Sequence, residues 1–226
     1  MADNIRNNLQ NVSIGGNFVG GNQTVHHHHH RETASTAAEK NAAATPKEAT
    51  VFLSYCRANS DEADSIERRL SDAGLIVKRD IRDLPPWQSI LAFMQSIRDQ
   101  DVAVLLISDA YLKSHACMYE VMEIMKEKDY HDRILPVVIE RGIYNRAKQI
   151  EYIAHWQHEA EQYKTAMQTI ESENQNDMPK ALKQMKQIAA SMEEFLKAVA
   201  SKNNPDISDA GDAIIAHLKH RNLLPR

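Results

Sequence analysis

Residues 108–120, SDAYLKSHACMYE, set one carboxylate, Glu120, in the first turns of an expected helix that follows the apolar run VAVLLI at 102–107. In an open α/β sheet, ligands bind in the crevice outside the carboxyl ends of the strands, so a carboxylate there is a candidate for chemistry. Cys117, in the same segment, carries a thiol, but the sequence places no general base for it, and a small buried hydrophobe is the better reading. His131, His155 and His158 show no spacing with acids or cysteines that would make a zinc site. The carboxylate is therefore the group to test. Periodicity alone puts Glu120 outside the Met/Val stripe of its helix, which also fits a plain solvent-facing side chain.

The elements that must position it are readable from Thr50 onward. TVFLS (50–54) reads as a buried strand, and Ala63, Ile66, Leu70 and Ala73, at spacings of three and four, share one face of a helix that Gly74 ends. LIVK (75–78) is the second strand, DIRDLPP a loop, and QSILAFMQSIRD a helix led by Ile90, Met94 and Ile97. VAVLLI is apolar at every position, as a strand with helices on both faces must be. Ser108 opens a turn, and Ser114 caps a helix that turns Cys117, Met118, Val121, Met122 and Met125 inward. RILPVVI (133–139) is a fourth strand, whose Pro136 predicts a bulge or an incompletely paired side. IEYIA (150–154) reads as a weak fifth strand. The alternation predicts a flavodoxin-like, doubly wound α/β sheet of five parallel strands. Residues 157–200 read as a helical insertion, a hairpin on one edge that covers an edge strand or presents a partner surface, before a last helix over 209–220.

Composition bounds the rest. The chain has 226 residues, of which 42% are hydrophobic and 26% charged, enough for one globular domain with excess length. A net charge of −4 without a basic stripe argues against nucleic-acid binding. Cys56 and Cys117, the only two cysteines, sit in or beside expected core elements, which suits reduced thiols in the cytosol better than a disulfide framework. Nothing approaches the roughly 18 consecutive apolar residues of a membrane span, so a cytoplasmic location without membrane partners is expected. Residues 1–49 have no hydrophobic periodicity and read as a disordered assembly segment and linker preceding a domain over 50–226. Four of the seven glycines fall in IGGNFVGGN (14–22), where GGN occurs twice, at 15–17 and 20–22. Such an uncharged Asn/Gly window can stack on copies of itself as cross-β ladders, or order only on contact with a partner. The run His26–His30 reads as low-complexity chain or a tag remnant rather than a metal site.

VFLSYCRANSDEADSIERRLSDAGLIVKRD (51–80), the proline-containing loop with Trp87 and Ile90, VAVLLIS and SHACMYE follow one another in the order and spacing of Toll/interleukin-1 receptor (TIR) domains. The likeness covers about residues 48–156, with the last helix completing the fold. Each piece alone is common; four in register are specific. Within the family the chain resembles the bacterial soluble branch, many of whose members cleave NAD in antiphage defence, whereas animal adaptor versions work mainly as scaffolds. Residues 11–25 resemble the Gly/Asn signalling motifs that nucleate amyloid-like assembly in some bacterial immune effectors.

The resemblance implies an NAD glycohydrolase or cyclase activated by self-assembly, with NAD as substrate and neither cofactor nor metal. Nicotinamide leaves a pyridinium as a neutral molecule, so no general acid is needed, and one carboxylate can hold the ribose and stabilise the oxocarbenium charge. Ordinary glycosidases need two carboxylates because their leaving oxygen must be protonated. Glu120 takes the catalytic role by resemblance, and Ser54, Tyr55, Arg57, Asp80, Trp87, Ser114 and Cys117 the nucleotide-binding surroundings. The expected partners are other copies, through TIR–TIR contacts and residues 11–25, and an upstream sensor protein. Asp80 and Trp87 border a loop that in TIR domains mediates self-association; Trp87 also reads as a core anchor for the following helix. One departure stands out: the family usually has tryptophan where this chain has Ala116. That departure favours the alternative of a non-catalytic TIR scaffold, while Glu120 and its flanking motif favour the enzyme; a module that binds NAD-like ligands without turnover is a third reading.

Overall fold

The computed structural model describes residues 49–79 and 84–224. The expected assembly motif, the histidine run, most of the linker and Asp80 lie outside the described residues.

Four strands, β1 (Thr50–Tyr55), β2 (Ile76–Arg79), β3 (Val102–Ile107) and β4 (Ile134–Val138), form one parallel sheet in the order β2-β1-β3-β4. Alternation along the strands divides the core into two layers. Val51, Leu53, Val104 and Leu106 face the helices α1 (Ser60–Asp72) and α8 (Ala210–His220), which bury Ile66, Leu70, Ile214 and Leu218 there. Phe52, Ala103, Leu105 and Ile107 face the opposite layer, which includes α4 (His115–Ile124) and α7 (Met178–Ala200). β3 is buried at all six positions, as an apolar strand between two helical layers should be. The strands are aligned at their starts by Asp101, whose carboxylate accepts from both the amide and the hydroxyl of Thr50 at 2.9 and 3.0 Å.

Helix ends follow the local chemistry. α1 closes in front of Gly74, which adopts φ +84°. Ser108 caps the short α3 (Asp109–Leu112), and Ser114 caps α4 by accepting from the Cys117 amide. The segment expected to form one long amphipathic helix is α2 (Ile90–Gln95) followed by a 3-10 turn, Ser96–Asp99. Only Ile97 of its three expected anchors is fully buried; Ile90 stays 49% exposed. Trp87 is fully exposed at φ 65°, so it is not the core anchor that its size suggested.

The expected fifth strand is instead helix. IEYIA lies within α6 (Arg146–Met167), whose cap is Asn145, its side chain accepting from the Ala147 amide at 2.8 Å. Over five residues Ile150, Tyr152 and Ala154 mimic a strand's alternation. Over the longer window Tyr152, Trp156 and Ala160 recur every four residues, and these are the buried ones, while Ile150 is 67% exposed. β4 consequently ends the described sheet. The Ile139 amide donates to the Ile107 carbonyl at 2.9 Å, which fixes the ladder's phase and turns the backbone groups of Ile134, Pro136 and Val138 away from β3. The donor that Pro136 lacks would thus have pointed off the sheet, matching the incompletely paired side read from the sequence. A short helix, α5 (Tyr130–Arg133), precedes β4. α7 packs against α6 and α4, and its Ile188, Met192, Phe195 and Val199 enter the core layer under Phe52. Among the described residues no helix is long and apolar enough to cross a membrane.

Gly74 gives a direct test of this reading. A β-carbon there meets no atom within 4 Å, so Gly74→Ala should cost only the left-handed backbone strain, about 1–2 kcal/mol. Gly142, equally open but without a left-handed φ, should accept alanine within about 0.5 kcal/mol. Thermal unfolding of the two variants checks this, and equal losses at both positions would contradict it.

Candidate functional site

The carboxyl ends of β1 and β3 lie side by side, and the polar residues at those ends form one connected group. Ser54, buried near the end of β1, donates its hydroxyl to Glu120 Oε2 at 2.5 Å. Its oxygen also lies 2.7 Å from the hydroxyl of Tyr111, on α3. Ser54 has one proton and gives it to the carboxylate, so Tyr111 is the donor in the second bond. Tyr111 is completely buried, and burial, followed by the nearby Cys117 and Glu120, pushes its phenol well above the ordinary value. It therefore stays protonated, and the order is phenol to serine to carboxylate. Glu120 is half-buried on the flank of α4, between the stripe formed by Cys117, Met118 and Val121 and the solvent.

The turn that carries α3 and the start of α4 is clamped from outside by α6. Trp156, fully buried, donates its indole N–H to the Leu112 carbonyl at 2.8 Å, and Tyr152 donates its hydroxyl to Asp109 at 3.1 Å. Lys113 closes on the other oxygen of Asp109 at 2.7 Å. Burial pushes the Asp109 carboxyl up, but the bonds from Lys113 and Tyr152 outweigh it and hold the group below its usual range. The His115 ring meets Trp156 edge-on at 4.7 Å between centroids, and its Nε2 lies 3.8 Å from Glu159. Burial lowers the His115 pKa against the pull of Glu159, which favours the neutral ring. Ala116, the next residue, is exposed.

At the end of β2, Arg79 is buried completely, with Asp64 at 2.5 Å, Glu67 as a second carboxylate partner and the Tyr55 ring 4.5 Å from its guanidinium carbon. Burial opposes its charge, but hydrogen bonds with Tyr55, Asp64 and Glu67 prevail and raise its pKa. Tyr55 is thus half-buried and packed against a buried cation. Arg57 is exposed in the 3-10 turn Arg57–Asn59. Cys117 is buried, and its sulfur donates to the Tyr55 carbonyl at 3.4 Å. The structure therefore gathers Ser54, Tyr55, Cys117 and Glu120 at one rim, sets Ser114 at the cap of α4, and leaves Arg57 and Trp87 on the surface. Among the described residues no cluster of His, Cys, Asp or Glu is placed to hold a metal ion.

Sequence reasoning missed Tyr111, Arg79, Tyr152 and Trp156. A signal existed for two of them. Tyr111 sits on the inner side of a serine-capped turn, where a buried phenol must find a partner. Asp64 and Glu67, three apart on α1 beside its apolar stripe, announce a cation on the strand they face.

A family profile described as TIR domain matches residues 51–170, more than half of the chain. No curated protein matches the sequence significantly. Among solved structures, the fold is similar to the TIR domains of the activated Roq1 resistosome that directly recognises the pathogen effector XopQ. That similarity has a TM-score of 0.50 at 18% identity and covers 76% of this chain and 99% of the other. The matched span begins in β1 and ends just beyond α6, so it takes in the whole rim built around Ser54 and Glu120, and the chain belongs to the TIR-domain family.

Proposed function

We propose that this TIR domain cleaves NAD at the bond between nicotinamide and ribose when several copies assemble, and that it acts as a cytoplasmic bacterial immune effector. The observation that carries the reading is the Glu120 carboxylate, anchored by Ser54 and Tyr111 at the carboxyl end of the central strands. In the reaction the C–N bond breaks with its electron pair going to the nicotinamide nitrogen, which becomes neutral. Positive charge develops on the ribose, and a fixed carboxylate beside it stabilises that charge without reorganising. Water then supplies hydroxide to the anomeric carbon and releases a proton, or a ring nitrogen of the adenine closes a cyclic product. Ser54 and Tyr111 are positioning residues, since they hold Glu120 in one orientation.

Self-association is supported by the exposed surface around Trp87. Trp87 is entirely exposed at a left-handed φ, and Ile90 and Leu91 beside it are exposed as well, a cluster suited to burial against a second copy. The similar Roq1 TIR domains belong to an activated resistosome. Residues 11–25 would add a second assembly element, and an upstream sensor would supply the trigger. Ala116 favours one further reading, a TIR scaffold that recruits other TIR proteins without turnover, because the aromatic residue common at that position in the family is replaced by an exposed methyl.

Glu120→Gln keeps the shape and an acceptor for Ser54 but removes the charge, and NAD consumption should fall at least about 100-fold. Wild-type turnover per molecule should rise with protein concentration; a demonstrably assembled wild-type protein that leaves NAD intact would overturn the enzyme reading in favour of the scaffold. Tyr111→Phe should lower kcat by roughly 3–10-fold and stability by about 1 kcal/mol, the net worth of one hydrogen bond. An unchanged kcat would remove Tyr111 from the positioning chain. Ala116→Trp, read in the same NAD assay, should raise turnover in an active enzyme; turnover that appears only in this variant would assign the wild type to the scaffold class.

A further inference from the structure

A cavity of about 280 Å³ lies along the outer edge of β4, enclosed by residues 135–137, by Ala213, Ile214 and His217 on one face of α8, and by residues 202–205 between α7 and α8. None of the residues that hold Glu120 lines it. Its floor is apolar: Leu135, Val137 and Ile214 belong to the core layer under α8. Pro136 adds to this, because its ring puts carbon where any other residue would put an outward N–H. The polar end is cationic. Lys202 donates to the His131 carbonyl at 2.6 Å, and Arg221 donates to the next carbonyl, that of Asp132, at 2.9 Å. Among the described residues neither cation has a carboxylate within ion-pairing distance, and the Lys202 ammonium keeps two further N–H donors. His217 lines the same cavity one helical turn before Arg221, whose amide donates to the His217 carbonyl at 3.0 Å.

We propose that this cavity binds a small aliphatic carboxylate, its chain against β4 and α8 and its carboxylate on Lys202. The site goes beyond the NAD reading and holds whether or not the rim turns over NAD. Ligand sites usually span about 300–1,000 Å³, so a cavity of about 280 Å³ takes a medium-chain acid and not a dinucleotide. An apolar floor with a cationic end matches a ligand that has one apolar chain and one negative charge. The edge itself argues against a peptide strand as the occupant. The Ile134 amide is spent on the Tyr130 carbonyl and Pro136 has none, so of the outward positions only Val138 keeps a donor. Strand addition needs a run of main-chain bonds, which this edge cannot offer.

The electrostatics around the polar end agree with this geometry. Burial lowers the Lys202 pKa, with the Asp132 carboxylate opposing the shift and Arg221 adding to it. Burial also lowers the His217 pKa, followed by Arg221, Lys202 and His220. Basic groups from α8 and from the segment before it thus repel one another across one end of the cavity. A carboxylate placed between them relieves that repulsion and takes the spare donors of Lys202.

Octanoate and octanamide, alike in length and different in charge, are the probes, titrated into the full chain by calorimetry. Octanoate should bind saturably with a Kd of about 0.1–1 mM, as expected for about ten non-hydrogen atoms. Octanamide should bind at least about 10-fold more weakly, because it brings no charge to the ammonium. Lys202→Met should weaken octanoate by the same factor and leave octanamide unchanged, and Ala213→Leu, which fills the floor, should abolish both. Equal binding of the two probes, or octanoate binding that survives Ala213→Leu, would overturn the proposal. So would inorganic phosphate that displaces octanoate at equal concentration, since the site would then be a bare anion contact. Octanoate binding that disappears as the protein self-associates would instead give the cavity to a second copy. The two probes on the wild-type protein decide the matter even where a variant fails to fold, and none of these readouts depends on NAD turnover.

Discussion

The complete burial of β3 governs this molecule. Six successive apolar residues lie between two helical layers with no solvent face, so nothing along the strand can carry chemistry, and polar groups can collect only where the strand ends. Parallel pairing with β1 then brings Ser54 and Tyr55 level with Leu105 and Leu106, at the same rim where Ser108 begins the next turn. Ser54 is the one buried polar side chain of β1, and its burial requires a partner. Tyr111 and Glu120, from the two helices that follow β3, both supply one.

The rim is held from a direction that parallel sheets do not provide by themselves. α6 runs where a fifth strand was expected, and its Tyr152 and Trp156 bind the turn between β3 and α4 through Asp109 and the Leu112 carbonyl. These contacts reach the two short helices at their junction, so α6 helps to set the turn from which the helix carrying Glu120 starts. α6 and α7 are joined to the core through the same layer as α4, which makes the long helices part of the support for the rim.

The strands were legible because burial leaves a clear signal in short apolar runs bounded by turn residues. β1, β3 and β4 fall within one or two residues of their expected ends, and the serine caps at 108 and 114 stand where their side chains predict. The fifth strand failed because five residues cannot separate a period of 2 from one of 3.6. Glu120 was legible only by resemblance to the family, since its position on α4 resembles that of any flanking glutamate. Its anchoring was not legible at all: Ser54 and Glu120 are 66 residues apart, and no local pattern links them. Arg79 was legible only in part: Asp64 and Glu67, three apart on α1, point to a cation partner, but nothing local to β2 says which residue it is.

Arg79 raises a question of magnitude that the geometry answers. Burying a guanidinium costs several kcal/mol, and its attraction to carboxylates roughly offsets that cost, so a pair of this kind adds little net stability. Asp64 and Glu67 are themselves 45% and 33% exposed, which weakens the attraction further through solvent screening. What the arrangement does secure is position. The guanidinium lies against the Tyr55 ring and fixes the residue whose carbonyl accepts from Cys117. The peptide between Tyr55 and Cys56 is therefore held on one side by a buried cation and on the other by the first turn of α4. Ser54, which orients Glu120, immediately precedes that peptide, and Cys56 is part of it. The buried cation at the end of β2 therefore steadies the same stretch of β1 that aims the carboxylate.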